Sequence, residues 1–395
     1  MRPDVQLSNY QYNLPDRLIA AYPLPMRDQS KLLVYTQGRI QDMYFYKLPE
    51  LLPPDSLLVQ NDTRVVPARL WFHSDHGAKI EIFCLYPDEA DPGTALAQTR
   101  QTTWICLVGN KKRWRQEELT IPLPGGGLTV RYLEEVAGGH RIQFDWQPAR
   151  LSFADVLDLV GRIPLPPYLQ READEKDRER YQTVFAEVEG SVAAPTASLH
   201  FTKGVLQAMD SKDLARTLLT LHVGAGTFLP VKSERIAEHD MHAETFTIRK
   251  QTLLRLIAHV GPIVATGTTT MRALESLCWL GTRLAHTQQA PTLLGQWEAY
   301  ELEPLPPGEA LTRLLHYMNE QGLEALTGQT RLLIAPGYRW QLCQGLVTNF
   351  HQPGSTLLLL VAAFVGEERW RMIYDYALAR EYRFLSYGDA SLLWR

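Results

Sequence analysis

The chain is poor in cysteine, has no long apolar run and carries almost no charge imbalance, and each shortage excludes a class of protein. Its four cysteines, Cys84, Cys106, Cys278 and Cys343, lie far apart and form no CxxC pair. A disulfide scaffold and a thiolate zinc site are therefore not expected, and a reducing compartment fits. The longest apolar stretch, residues 357–365, is about half of the ~20 residues that a membrane span requires, so it is read as buried core. No apolar segment follows a basic start at the N-terminus, so no secretory signal is expected and a cytoplasmic location is. Lysine and arginine total 40 against 44 acidic residues. With a net charge of −4 there is no chain-wide attraction to polyanions, and any nucleic-acid partner must be held by a local basic patch.

What is present is an ordinary globular balance, 45% hydrophobic and 21% charged over 395 residues, enough for a large core and more than one average domain. From residue 69 to 146, apolar and polar residues alternate in four runs (79–85, 103–108, 128–133 and 141–146) separated by glycine-rich turns. Period 2 without an amphipathic helix predicts an all-β lobe, a small barrel. Outside it the grammar changes. Ser152 followed by Phe153, Val156, Leu157 and Val160 predicts a capped helix ending at Gly161. Residues 263–265, 267–270 and 271–280 read as strand, turn and helix. The expected fold is α/β: a mixed-sheet main domain of residues 1–68 and 150–395, interrupted by an inserted β-barrel of residues 69–149. The run 171–180 (READEKDRER) is either a solvated segment or a cover over a site.

Several clusters could carry chemistry. Gly267, Thr268, Thr269, Thr270 and Arg272 stand where a helix opens, and unpaired N–H groups there favour an anion. Plain capping is the alternative, with Arg272 paired to Glu275 on the surface. In LHVGAGTF, His222, Gly224, Gly226 and Thr227 precede no helix, so the dinucleotide fingerprint fails, although the glycines allow close approach to a flat ligand. His239, Asp240, His242 and Glu244 place two imidazoles and two carboxylates within six residues, the groups that move protons near neutrality. On a strand His242 and Glu244 would share a face that His239 does not, which disfavours a metal site. Thr196, His200, Asn349, His351, Tyr387 and Asp389 add polar groups beside aromatics. Lys111, Lys112, Arg113 and Arg115 surround Trp114, either as phosphate contacts with a stacking platform or as a solvated loop.

The order and length of these segments are specific. NDTRVVPARL at 61–70, GRIPLPPY at 161–168, RYQT at 180–183, AAPTA at 193–197, LHVGAGTF, HDMHAE, GTTTMRALES and YRFLSYGDA at 382–390 together resemble the S-adenosylmethionine:tRNA ribosyltransferase-isomerase family of queuosine biosynthesis. The resemblance implies a β-barrel inside an α/β domain. It also implies that the ribosyl group of S-adenosylmethionine is moved onto 7-aminomethyl-7-deazaguanine at the wobble position of a tRNA with a GUN anticodon. Epoxyqueuosine forms, and adenine and methionine leave. S-adenosylmethionine is thus a consumed substrate, with no other cofactor and no metal, in a protein expected to be monomeric.

Asn61, Arg64, Tyr181, Gln182 and Thr183 join the expected substrate-binding residues through the same motifs. The chain departs from the family pattern at Lys31, Ser198 and Ala243, and at Thr330-Arg331-Leu332, which stands in place of a more acidic and aromatic run. A sulfonium acidifies the ribose 5′ protons, so the chemistry needs a base and an acid for the departing purine. His242 and Glu244 are the base candidates; His222 and Asp389 are candidates for protonating adenine or deprotonating the amine. Removing His242 or Glu244 is expected to cost turnover with little loss of stability. A non-catalytic tRNA-binding protein would need only the basic patch, and a methyltransferase would need a Gly-rich turn that is absent.

Overall fold

The structure, a computed structural model, describes residues 2–88, 91–115, 118–224, 233–287 and 290–395. Successive side chains of a strand point to opposite faces, and the main sheet is built on that rule. In Leu57–Asn61 every residue is buried; Leu57 and Val59 enter one core cluster and Leu58 another. Ile263–Thr266 and Gly345–Asn349 are likewise buried throughout, as expected of parallel strands covered on both faces. They run parallel to one another and, with Ala215–His222, form the parallel centre of the sheet around Leu57–Asn61.

Ten strands lie in the order Leu293–Leu294, Ala325–Thr330, Glu244–Arg249, Ala215–His222, Leu57–Asn61, Ile263–Thr266, Gly345–Asn349, Ala390–Trp394, Lys31–Thr36 and Arg39–Tyr44. Both parallel and antiparallel pairs occur, so the sheet is mixed. The helix Thr268–Thr287 covers one face, with Pro307–Glu320 against it. Lys203–Asp210 contributes Val205 and Met209 to the cluster on the other. The apolar run at 357–365 is the buried helix Thr356–Val365, capped by the Ser355 side chain, which accepts from the Leu358 N–H.

The second sheet is antiparallel and separate, in the order Arg69–His73, Lys79–Pro87, Gln101–Gly109, Gly139–Gln147, Gly126–Val136 and Leu119–Leu123. Its outer strands approach each other and leave a nearly closed barrel. Leu70, Phe72, Ile80, Ile82, Leu128, Val130, Ile142 and Phe144 point inward into a core of its own. Phe153 closes that core against Trp104, Phe144 and Trp146. It opens the helix Phe153–Val160, whose Ser152 and Asp155 form a reciprocal capping box.

Two local expectations are corrected. The turn before the long helix is Gly267 alone, at φ +94°; the three threonines are the first helical residues, so hydroxyls expected on a loop sit on the helix end. The HDMHAE segment is not a strand as a whole, because the strand starts only at Glu244. His242 is exposed and Glu244 buried, so they share no strand face.

Candidate active site

Parallel strands deliver their C-terminal ends to one edge of a sheet, where the loops that follow are free to build a site. Ile263–Thr266 leads into Gly267, Thr268 and Thr269, and Gly345–Asn349 leads into Phe350 and His351. These residues line one cavity with Val223, which follows Ala215–His222, the loop Ala193 to Ala197, Tyr168, Leu385 and Ser386. A narrower cavity adjoins it, lined by Met241, Arg272, Leu332, Leu333, Ile334 and Leu360 and sharing Thr268, Thr269 and Leu357 with the first. One helix N-terminus thus faces both.

The polar wall of the first cavity is held from behind. The Ser30 hydroxyl donates to the Arg27 carbonyl at 2.7 Å and so accepts from His200 Nδ1 at 2.9 Å. That leaves His200 Nε2 as an acceptor for the Asn349 amide at 3.2 Å, and Asn349 Oδ1 for the Thr196 hydroxyl at 3.0 Å. His200, expected to touch substrate, instead lies behind Asn349. His351 itself lines the cavity. Its Nε2 lies 3.0 Å from Thr348 Oγ1, its N–H donates to the Tyr374 hydroxyl at 3.1 Å, and its carbonyl accepts from Tyr12. His222 sits outside the lining, with Nδ1 3.0 Å from Thr63 Oγ1. A Cβ on Gly190, at φ +142°, would fall 2.6 Å from its ring, so that position requires glycine.

Burial pushes His200 and His351 down to about 3 and His222 down to about 4. All three lie below the ~6.5 of a free imidazole. Between about pH 4 and 6.5 the unfolded chain therefore binds more protons than the folded one, so stability is full above that window and is lost as pH falls through it. Near pH 5, unfolding is expected to take up about three protons at these rings. Urea melts at successive pH values check this; a stability flat from pH 7 to 5 would contradict it.

Arg272 and Glu244 form a buried ion pair, each less than a tenth exposed. The alternative pairing of Arg272 with Glu275 on the surface is overturned: Glu275 is fully buried and accepts from the backbone N–H groups of Gln341, Leu342 and Cys343. Burial lowers the Arg272 guanidinium to about 10. A buried paired carboxylate contributes to the fold, so little loss of stability on changing Glu244 is no longer expected. His239 is half-buried and held below the usual imidazole range, mainly by burial and then by His242. Arg331, one of the departures from the family pattern, bonds the Met241 carbonyl at 2.9 Å and pairs with Asp240. It pins the segment beside the narrower cavity.

Other expected contacts serve the frame. Asn61 bonds both the N–H and the carbonyl of Leu221, and Gln182 does the same for Val65. Thr183 accepts from the Phe185 N–H, Arg64 is exposed and pairs with Glu189, and Tyr181 is buried edge-on against Tyr387. Asp389 accepts from the N–H groups of Lys31 and Arg383 and lies outside the cavity lining. Gly224 is half-buried, next to Val223 of the lining; Gly226 and Thr227 lie outside the described residues. Tyr168 and Ser386, whose hydroxyls are 2.5 Å apart, line the cavity unanticipated. The only sequence signal for Tyr168 was an aromatic closing a Pro-rich segment.

In the barrel, Lys112, Arg113 and Arg115 are exposed, and none of them has an ion-pair partner among the described residues. Lys111 sits 3.9 Å from the Tyr132 ring centroid. Trp114 is 3% exposed and belongs to the barrel core, so it is corrected from stacking platform to core residue. Among the described residues no group of three or more His, Cys, Asp or Glu is arranged to hold a metal ion, and no helix is long and apolar enough to cross a membrane.

Comparison with known proteins covers nearly the whole chain. The S-adenosylmethionine:tRNA ribosyltransferase-isomerase of Acidithiobacillus ferrooxidans is 39% identical over 98% of this chain and 97% of its own length. The protein of the same name from Anaeromyxobacter dehalogenans is 38% identical over 99% of this chain and all of its own. A crystal structure of S-adenosylmethionine tRNA ribosyltransferase from Thermotoga maritima is 29% identical, covers 98% of this chain and 99% of that one, and superposes with a TM-score of 0.47. Residues 7–393 match the family described as queuosine biosynthesis protein, and the chain belongs to that family.

Proposed function

We propose that the protein transfers and isomerises the ribosyl group of S-adenosylmethionine onto 7-aminomethyl-7-deazaguanine at the wobble position of a tRNA with a GUN anticodon, releasing adenine and methionine. The observation that carries this is the end-to-end match to relatives bearing that enzyme name, in a chain whose GRIPLPPY, AAPTA, LHVGAGTF, GTTTMRALES and YRFLSYGDA motifs each supply residues to one cavity. S-adenosylmethionine is a substrate, no other cofactor takes part, and the protein works as a cytoplasmic monomer.

The helix end at Thr268 and Thr269, with Arg272 behind it, suits the methionine carboxylate. The aliphatic lining of the narrower cavity suits the methionine side chain. Proton transfer falls to groups that reach the substrates. His351 lines the cavity, and burial that holds its ring neutral also makes it a weak base, so it is suited to hydrogen-bonding a substrate. Glu244 neutralises Arg272, while His222 and Asp389 hold the frame; His242, exposed nearby, meets the tRNA side of the site. Incubated with S-adenosylmethionine, the protein is expected to release adenine and methionine in equal amounts only when tRNA carrying the aminomethyl base is present. S-adenosylhomocysteine as the product would overturn the proposal.

The basic segment 111–115 takes tRNA phosphates. Each neutralised phosphate releases counterions, so the double variant Lys112→Ala, Arg113→Ala is expected to flatten the log–log salt dependence of tRNA binding by up to about two units. Donor binding is expected to survive. An unchanged slope would make this segment a solvated loop.

A further inference from the structure

The charged run READEKDRER is not uniformly solvated. Asp177 has no exposed side-chain surface and Arg171 is only 12% exposed. The Asp177 carboxylate accepts Arg171 Nη1 at 2.6 Å and Nη2 at 2.8 Å, the Asp174 N–H at 2.9 Å and the Tyr387 hydroxyl at 3.0 Å. Arg171 also donates Nε to the Ala21 carbonyl at 2.9 Å, and its guanidinium lies 4.1 Å from the Tyr22 ring centroid. One carboxylate therefore ties together residues 21–22, the 171–181 segment and Tyr387, which are remote in sequence.

A buried ion pair is seldom more stabilising than apolar side chains of the same volume, so stability alone does not account for it. What a fully satisfied pair supplies is fixed geometry. Here the geometry leads to the cavity. Tyr387 follows Ser386, the Ser386 hydroxyl meets that of Tyr168, and both Tyr168 and Ser386 line the cavity. Tyr168, Tyr181 and Tyr387 share one small apolar cluster, so a shift of Tyr387 is passed to the wall.

We propose that Asp177 is a positioning residue: through Tyr387 it sets the Tyr168–Ser386 wall, against which the purine-like ring of a substrate is read. The ring is the adenine of the donor or the deazaguanine of the tRNA, and the proposal rests on the function given above.

Tyr387→Phe removes one hydrogen bond and keeps the ring, so folding is retained; Asp177→Asn removes the charge. Titration of S-adenosylmethionine and of tRNA, well below the melting temperature, is expected to show a dissociation constant raised about tenfold in both variants for one of the two ligands. The ligand affected identifies the ring. Combining Tyr387→Phe with Tyr168→Phe is expected to give a less than additive loss, because both act on one wall. Dissociation constants within twofold of wild type for both ligands, or strictly additive losses, would overturn the positioning role of Asp177, whatever happens to the melting temperature. Adenine release by the wild-type protein separately reports on the function itself.

Discussion

Glu275→Ala is expected to destabilise the protein by about 3–5 kcal/mol, the usual scale for stripping a buried charge from its partners. The carboxylate accepts the Gln341 N–H at 2.8 Å, the Leu342 N–H at 2.9 Å, the Cys343 N–H at 3.0 Å and the Tyr338 hydroxyl at 3.0 Å. Alanine leaves these four donors without the acceptor that the fully buried Glu275 supplies, and each orphan costs about 1–3 kcal/mol before relaxation. Glutamine replaces one acceptor oxygen with a donor and is expected to lose a smaller amount. The anchored loop leads directly into Gly345–Asn349, which carries Asn349 and His351 to the cavity, so activity should fall along with stability. Urea midpoints of the two variants check the prediction; a loss below about 1 kcal/mol for alanine would contradict it.

Arg272→Ala is expected to weaken S-adenosylmethionine binding by about 10²-fold, the scale for truncating one member of a buried charge pair at a binding site. Two effects add. The guanidinium beside Thr268 and Thr269 is lost, and the negative charge of Glu244 remains near the place proposed for the methionine carboxylate. The double variant Arg272→Ala, Glu244→Gln separates fold from binding: it should recover most of the lost stability and only part of the donor affinity, because the repulsion is gone but the cation is still missing. Donor affinity restored to the wild-type value in the double variant would make the pair purely structural. Unchanged donor affinity with weaker tRNA binding in Arg272→Ala would instead make the bound anion a phosphate.

Period-2 alternation is a local signal, and four of the six barrel strands were legible from it because each carries its own inward face, whereas Arg69–His73 and Leu119–Leu123 were not. Ser152 was legible for the same reason, since a helix cap is decided within four residues. Partners set by the tertiary fold were not. Nothing near Glu244 in sequence names Arg272, and a ten-residue run with both signs of charge gives no sign that Asp177 meets Tyr387, 210 positions away. Trp114 misled for a related reason. Its cationic neighbours suggested an exposed indole, but the short 3-10 turn Lys111–Arg113 leaves the cations outside and directs Trp114 into the barrel. The histidines show the same limit: all are plain in the sequence, yet only topology separates His351 in the cavity wall from His200 behind it.

The ribosyl group, and not the methyl group, of S-adenosylmethionine is expected to reach tRNA. Reacting the protein with donor isotopically labelled in the ribose, and with tRNA bearing the aminomethyl-deazaguanine base, allows mass spectrometry of the digested tRNA to decide. Label in the modified nucleoside at the wobble position, with unlabelled adenine and methionine free in solution, is the predicted result. Label retained in S-adenosylhomocysteine, with a methyl group gained by the tRNA, would contradict it.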